Sequence, residues 1–238
     1  MRRTVVDQLT RFLGWLRKNQ HMTLPPTDQP VKINLGSSLV VTGGWINIDG
    51  SLSAFFAGWP RLMLKIIYRL ASMRGQYTEA EYVRILKSHC FLHHNLEYGI
   101  PLPTACADYV FSSHFLEHLS KAHGEQLVRE AGRILKPGGT IRIAIPDLGQ
   151  TIAAYQAGHK VAAMDGIFAY LDLGYFARHR FMYDFDMLHD LLCREGFVAI
   201  RQCAMYEGQV PDITILDNRP GSLIVEATKP AYAENTSL

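Results

Sequence analysis

Residues 31–49, VKINLGSSLVVTGGWINID, constrain the fold of this chain more than any other stretch. They read as a buried strand from Val31 to Leu35, a turn of small residues opening at Gly36, and a second strand from Trp45 to Ile48 closed by Asp49. Gly36, Ser37 and Ser38 are too small to keep a ligand off the backbone. In an open α/β sheet, ligands settle beyond the carboxyl ends of the strands, and an acid there suits two ribose hydroxyls. The unit reads as a nucleoside cradle, although Asp49 taken alone would equally cap a following helix.

The rest of the chain repeats the strand–helix–strand rhythm. Cys90 to His93 is a third strand leading to Asn95, and Pro101 and Pro103 mark a loop. Asp108 to Ser112 is a fourth strand, followed by the loop and helix start Ser113–His118. Leu127, Val128, Ala131, Ile134 and Leu135 form the buried stripe of a helix. Lys136-Pro137-Gly138-Gly139 ends it, because Pro and paired Gly cannot continue a helix. Thr140 to Ile145 is apolar enough for a strand buried on both faces, and it runs into Pro146-Asp147. Residues 148–173 read as helical, and Asp184 to Glu195 as a further helix ended by Gly196. Phe197–Cys203 and Ser222–Thr228 are strands with no helix between them. Crossover handedness makes the first five strands parallel, while the last pair closes one edge as an antiparallel hairpin.

The predicted fold is therefore α/β, a three-layer Rossmann-like arrangement around a seven-stranded mixed sheet whose last strand is antiparallel. Residues 1–30 are an amphipathic helix and a proline-rich linker, 31–229 the main domain, and 230–238 a tail. A helical insertion occupies about 50–88. In it Phe55, Trp59, Leu62, Ile66 and Leu70 share one stripe, with Arg61, Lys65 and Arg69 on another face. Such a helix covers an active site, touches a membrane, or packs on the sheet. The helix over 3–19, with Val5, Val6, Leu9, Phe12, Leu13 and Leu16 in phase, lies on a membrane or on the domain's own flank.

Charge is uneven along the chain. Residues 1–75 carry ten Lys or Arg against Asp7, Asp28 and Asp49, a surplus of seven, within a net charge of +2 for the whole sequence. The basic third suits an anionic surface, but so small a total argues against a dedicated nucleic-acid binder. Cys90, Cys106, Cys193 and Cys203 show no CxxC spacing, so a reducing cytoplasm is the expected compartment, with the membrane surface as a peripheral station. Arg11, Arg17 and Lys18 interrupt what would be the apolar core of a signal peptide, so the amino terminus is expected to be retained. No run of about 18 apolar residues calls for a membrane span.

Four pieces in order resemble the class I S-adenosylmethionine-dependent methyltransferases, in particular the group called type 11. KINLGSS with GWINID resembles the family's first motif and its ribose-binding acid. HHNLEYGIPLPTACADYVFSSHFLEHL resembles the adenine-contact strand and the next strand with its LEHL signature. EAGRILKPGGTIRIAIPDL is the most specific piece, and HRFMYDFDMLHDLLCREGF with SLIVEATK resembles the carboxyl-terminal part of a subgroup associated with bacterial surface polysaccharides.

The resemblance implies S-adenosylmethionine as cofactor. It places Asn34, Gly36, Ser37 and Ser38 under the methionyl part and Asp49 at the ribose. Asn95 and Leu96 would border the adenine, with Ser113 and His114 beneath the sulfonium. The family usually has Gly where Ser38 stands and Asp where Asn95 stands. The alternative reading is accordingly a non-catalytic binding module that kept the fold. For the catalytic side the candidates are His179, Asp147 and Tyr183. His179 has the titration range of a base, though a surface helix start explains it too, and Asp147 could simply begin a helix. Glu117 and His118 read as the start of a helix. The acceptor implied is a small molecule or a saccharide or lipid-linked intermediate, methylated on oxygen or nitrogen. His89, His93 and His94 do not make a metal set, because strand alternation parts 93 from 94 and no acid or Cys completes them. A nicotinamide oxidoreductase expects G-x-G-x-x-G at the first turn, which Gly36–Val41 lacks.

Overall fold

The computed structural model describes residues 2–70, 75–168 and 178–231. The elements run α1 (Arg2–Leu16), β1 (Lys32–Leu35), β2 (Trp45–Asp49), α2 (Leu52–Phe56), α3 (Arg61–Leu70), α4 (Glu79–Ser88), β3 (Cys90–His93), β4 (Ala107–Ser113), α5 (Lys121–Ile134) and β5 (Leu135–Pro146). They continue as α6 (Leu148–Gln156), α7 (Lys160–Phe168), α8 (Phe185–Arg194), β6 (Val198–Gln202), α9 (Ile213–Leu216) and β7 (Ser222–Thr228). The sheet has the order β3-β2-β1-β4-β5-β7-β6. Strands β1 to β5 pair in parallel, and β7 runs antiparallel between β5 and β6. The expected seven-stranded mixed sheet is the one observed.

Strand alternation separates two chemically different faces. Ile33, Leu35, Ile48, Val110, Ile141, Ile143, Leu223 and Val225 pack with Leu127, Val128, Ala131 and Ile134 of α5 and Leu188, Leu191 and Leu192 of α8 into the main aliphatic core. On the opposite face Trp45 and Phe111 meet Val210, Ile213 and Leu216. That second face is laced with buried polar groups. Asn34 Nδ2 donates to Asn47 Oδ1 at 3.0 Å, and Asn47 Nδ2 donates to the Cys90 carbonyl at 2.9 Å, stitching β1 to β2 and β3 through side chains. Asp212 accepts from Lys32 Nζ and from Trp45 Nε1, which ties α9 to the first two strands.

The strongest of these groups is Arg142, in the middle of β5 and fully buried. Its guanidinium pairs with the carboxylates of Asp217 and Glu226, themselves almost inaccessible, and donates to the carbonyls of Glu207 and Ala204. Five donors in a planar fork match two acids and two carbonyls, a set that lysine could not satisfy. The charge anchors the loop from β6 to β7 onto the sheet.

The sequence boundaries need three corrections. The insertion helix breaks at Gly58-Trp59-Pro60 into α2 and α3, since Gly58 has φ +86° and proline cannot continue α2. The helix expected over 148–173 is two helices parted at Gly158 (φ +94°), and 169–173 lie outside the described residues. Lys136–Gly139, expected as a helix stop, forms a bulged entry to β5, where the register against β4 shifts between Ala107 and Tyr109. Replacing Arg142 by Leu leaves buried Asp217 without a cation and Glu226 with Arg201 alone, so Arg142→Leu should lower unfolding free energy by about 3–5 kcal/mol in urea titration. A loss below about 1 kcal/mol would contradict the anchor.

Candidate active site

The carboxyl ends of β1, β2, β3 and β4 bring the residues of the expected cradle other than Asn34 to one edge of the sheet. Gly36 follows β1 with φ +65°, and a Cβ there would overlap the ring of Phe115, so both backbone angle and close packing demand glycine. Ser38 also lies in the left-handed region at φ +46°. The strain is held by Asp49: its Oδ2 accepts from the Ser38 amide at 2.9 Å and its Oδ1 from the Ser51 amide at 2.7 Å. The Asp49 carboxylate is buried, and its two oxygens each keep a second lone-pair direction. It organises the turn that leads into α2, whose own cap is Ser51.

Next to it the end of β3 carries His93 and His94, both buried, and neither ring reaches a hydrogen-bond partner. The His93 ring lies edge-on to Phe55 with centroids 5.1 Å apart. Burial lowers the pKa of His93, with the nearby Arg17 adding to the effect, and burial likewise takes His94 down to about 4. Asn95 caps the turn Leu96–Tyr98, its Oδ1 accepting from the Glu97 amide at 3.1 Å, and Leu96 is buried beneath it. The amino-terminal helix closes this end. Gly14 of α1 lies so near Asn95 that an added Cβ would be 3.0 Å from the Asn95 Cβ, and the Arg17 guanidinium sits 4.5 Å over the Phe55 ring. The helix thus packs on its own domain here, one of the two expected placements.

Other expected residues are engaged differently. Asn34 points to the polar face, where it also donates to the Val40 carbonyl at 2.9 Å and so holds the turn from below. Asp147 caps α6, with Oδ1 accepting from the Gly149 and Gln150 amides. Tyr183 is buried between α5 and α8 with its hydroxyl against Gly124, and burial pushes its phenol up to about 12. At that value the phenol stays protonated at neutral pH. The backbone of Tyr183 does reach the edge, bridging to Asp147 in parallel pairing.

Beyond β4 the structure assembles a group that local pattern did not reveal. His114, at φ +49°, has Nε2 2.7 Å from Ser222 Oγ and Nδ1 3.4 Å from Glu117 Oε1. Glu117, expected to begin a helix, is 1 % exposed, and neither of its oxygens has a hydrogen-bond partner. His179 Nε2 lies 4.0 Å from Glu117 Oε1, and the His118 and His179 rings are 5.2 Å apart. The main chain fixes this meeting, because the Arg180 and Phe181 amides both donate to the Glu117 carbonyl. The spacing His114-x-x-Glu117-His118 was the signal available in the sequence, a pattern used by some metal-binding helices. Here Glu117 and His118 lie on a single turn of 3₁₀ helix, Leu116–His118, and His114 precedes it.

A sheet of this order, with its last strands antiparallel and helices on its faces, is the Rossmann-like fold found in methyltransferases. The family model described as a methyltransferase domain matches residues 67–143, from α3 through the middle of β5. No curated protein matches it.

Among solved structures it is similar to one from Archaeoglobus fulgidus described as a SAM dependent methyltransferase, at 15 % identity and TM-score 0.45, covering 96 % of this chain and 95 % of that one. It is also similar to the Haloferax volcanii complex between the Trm112 methyltransferase activator and a methyltransferase, at 15 % identity and TM-score 0.46, covering 94 % and 93 %. A third likeness is to Haemonchus contortus phosphoethanolamine N-methyltransferase 2 with phosphomonomethylethanolamine and S-adenosylhomocysteine, at 13 % identity and TM-score 0.47. That match covers 92 % of this chain, which spans about half (52 %) of the Haemonchus protein.

The paired histidines give this edge a pH signature. The unfolded chain takes up a proton on His94 near pH 6.5, but the folded chain resists until about 4. The folded state is therefore favoured fully above about pH 6.5, and that advantage is lost as pH falls toward 4. The urea midpoint should drop across this window, and His94→Leu should flatten the drop. An equal slope in that variant would count against His94 as its source.

Proposed function

We propose that the chain moves a methyl group from S-adenosylmethionine to an oxygen or nitrogen of a small molecule, saccharide or lipid-linked acceptor. The observation that carries the reading is the buried Asp49 carboxylate, held at the end of β2 by the Ser38 and Ser51 amides with lone pairs to spare. The surroundings suit a nucleoside: a vicinal diol donates to the acid, and the unpartnered His93 imidazole beside it offers a further polar contact.

In this reading Asp49 holds the ribose and the Gly36–Ser38 backbone approaches the methionyl part. Asn95 and Leu96 border the adenine, and Ser113 and His114 lie below the reacting centre. The cofactor supplies an electrophilic methyl on a sulfonium. The chain's task is to bring the acceptor in line with it, since positioning provides much of the rate in such a displacement. The acceptor atom bonds to the methyl carbon as the carbon–sulfur bond breaks, and the proton of the acceptor passes to a base or to water. His179, on the segment leading to α8 and facing Glu117, is the acceptor-side residue we favour. The capping of Asp147 and the burial of Tyr183 suit supporting roles for those two.

Calorimetric titration should show S-adenosylhomocysteine binding. Asp49→Asn, which removes a charge-assisted pair of hydrogen bonds, should weaken it by about 1.5–3 kcal/mol, or roughly 10- to 100-fold. Unchanged affinity in a folded variant would sink the cradle.

A lipid-linked acceptor is favoured by one further observation. Leu62 is 68 % exposed on α3, flanked by exposed Trp59, Met63 and Ile66, while α1 exposes Leu9, Phe12, Trp15 and Leu16. Helix α2 lies between them: Arg17, just after α1, sits over Phe55 of α2, and Phe56 of α2 meets Trp59, just before α3, edge-on. Arg61, Lys65, Arg69 and Lys18 border them. Aromatic and aliphatic side chains rimmed by basic ones suit the headgroup region of an anionic bilayer. No helix among the described residues is long and apolar enough to cross a membrane. The protein should therefore float with phosphatidylglycerol vesicles and less with phosphatidylcholine, and Leu62→Glu/Ile66→Glu should abolish flotation. Absence of wild-type flotation on either vesicle would end the membrane proposal alone.

A further inference from the structure

We propose that Glu117, His118 and His179 form a binding site for a divalent transition-metal cation of the zinc class, on the acceptor side of the sheet edge. Nothing in the methyltransferase reading requires such an ion. The proposal deepens that reading, and rests on it only for what the ion would do.

Three observations converge. The first is spatial: one donor atom from each residue can be chosen so that all lie within 4.8 Å of one another. The second is the state of the carboxylate. Glu117 is 1 % exposed and both its oxygens lack a hydrogen-bond partner. A buried carboxylate without compensation costs several kcal/mol, so this acid calls for a cation or a proton. The third is the orientation of the imidazoles. His179 Nδ1 lies 2.9 Å from the Gly166 carbonyl, and His118 Nδ1 lies 3.1 Å from the Arg178 carbonyl. A carbonyl can only accept, so both Nδ1 atoms carry hydrogen and both neutral rings keep their lone pair on Nε2. That is how metal-ligating histidines are set: one nitrogen donates to a backbone carbonyl and the other is left for the ion.

A fourth group faces the same acid. Ser222 Oγ spends its hydrogen on the Arg219 carbonyl at 2.8 Å, so it accepts from His114 Nε2–H. The His114 Nδ1 lone pair then looks toward Glu117 Oε1 at 3.4 Å. Lone pairs of a neutral imidazole and a carboxylate repel at this range unless something positive lies between or beside them. A cation on Glu117 removes the conflict, and so would a proton on His114, which is the competing explanation.

Two imidazoles and one carboxylate are a donor set suited to zinc, iron(II), cobalt(II) or manganese(II), and unlike the all-oxygen sets of calcium and magnesium. Ligands about 2.1 Å from zinc sit about 3.4 Å apart in a tetrahedral site, so loading draws the three donors inward by on the order of 1 Å. Three protein ligands leave room for oxygen atoms from the acceptor. A hydroxyl-bearing acceptor, above all one with neighbouring hydroxyls, is the class this arrangement would take.

The test uses the full chain, stripped with chelator and titrated with cobalt(II) while visible absorption is recorded. S-adenosylhomocysteine binding is measured separately by calorimetry on the same stripped protein. The expected result is one saturable cobalt(II) site, displaced by zinc, that Glu117→Gln, His118→Gln and His179→Gln each weaken by at least about tenfold. His189→Ala, on the surface of α8, should leave it unchanged. Circular dichroism checks that the variants are folded, and the half-buried His118→Gln is the least disruptive of them. No saturable site, or a site indifferent to all three substitutions, overturns the metal proposal and leaves the proton on His114 as the explanation. Retained nucleoside binding in that case leaves the methyltransferase reading standing, whereas cobalt binding without nucleoside binding removes the reading and keeps the metal.

Discussion

The contact on which the working edge of this protein depends is a single carboxylate bridging two turns. Asp49 takes the Ser38 amide with one oxygen and the Ser51 amide with the other, so the loop leaving β1 and the loop leaving β2 are fixed to the same buried charge. Without it, Ser38 at φ +46° would have little to hold it in a conformation that costs a residue with a side chain on the order of 1 kcal/mol. Two charge-assisted hydrogen bonds exceed that cost. This explains how a serine can stand where the related family usually has glycine. The turn tolerates a strained residue because the acid of the neighbouring strand compensates for it. The same carboxylate still has lone-pair capacity beyond the two amides, so the group that builds the turn is also the one proposed above to hold a ribose.

The division of the sheet into two faces extends this logic inward. One face is an aliphatic core filled by α5 and α8. The other buries Asn34, Asn47, Arg142 and Glu226 among aromatic residues, each joined by side-chain hydrogen bonds to a neighbouring element. Aliphatic packing tolerates small slippage between layers, whereas paired polar groups fix register, because a shift leaves a charge or amide unsatisfied. Arg142 on β5 binds acids from the loop before β7 and from β7 itself, and so locks the antiparallel strand against the parallel ones. That lock sits directly behind the edge where β4 and β5 deliver His114 and Asp147.

How much of this was legible in the sequence follows from the range of each interaction. The strands were readable because burial writes itself into local runs: Thr140–Ile145 lies within β5, and Ser222–Thr228 matches β7 residue for residue. The turn from Gly36 to Asp49 was readable because its parts lie within twenty residues, between two strands that alternate in and out of the core. Asn34 was placed with the ligand by its motif, yet alternation turns it to the opposite face, where it serves the polar lattice. The Arg142 anchor was not readable, since one arginine inside an apolar run gives no sign of partners 75 and 84 residues away. Glu117 and His179 are separated in the same way, and only the backbone bonds of Arg180 and Phe181 to the Glu117 carbonyl bring them together.

The two ends of the working edge solve opposite problems with the same residue type. At His93 and His94, burial without partners keeps the rings neutral, and the lowered pKa values record the cost of charging them. Neutral polar rings beside Asp49 suit an uncharged, hydroxyl-rich ligand. At Glu117 an unpartnered acid faces His114 and His179, which makes that end short of positive charge. The two buried acids thus stand at the two ends of this edge, Asp49 closing β2 and Glu117 beyond β4. In the proposed reading the two buried acids therefore divide the work, Asp49 toward the ligand's hydroxyls and Glu117 toward a cation, because each is left incompletely paired by the protein itself.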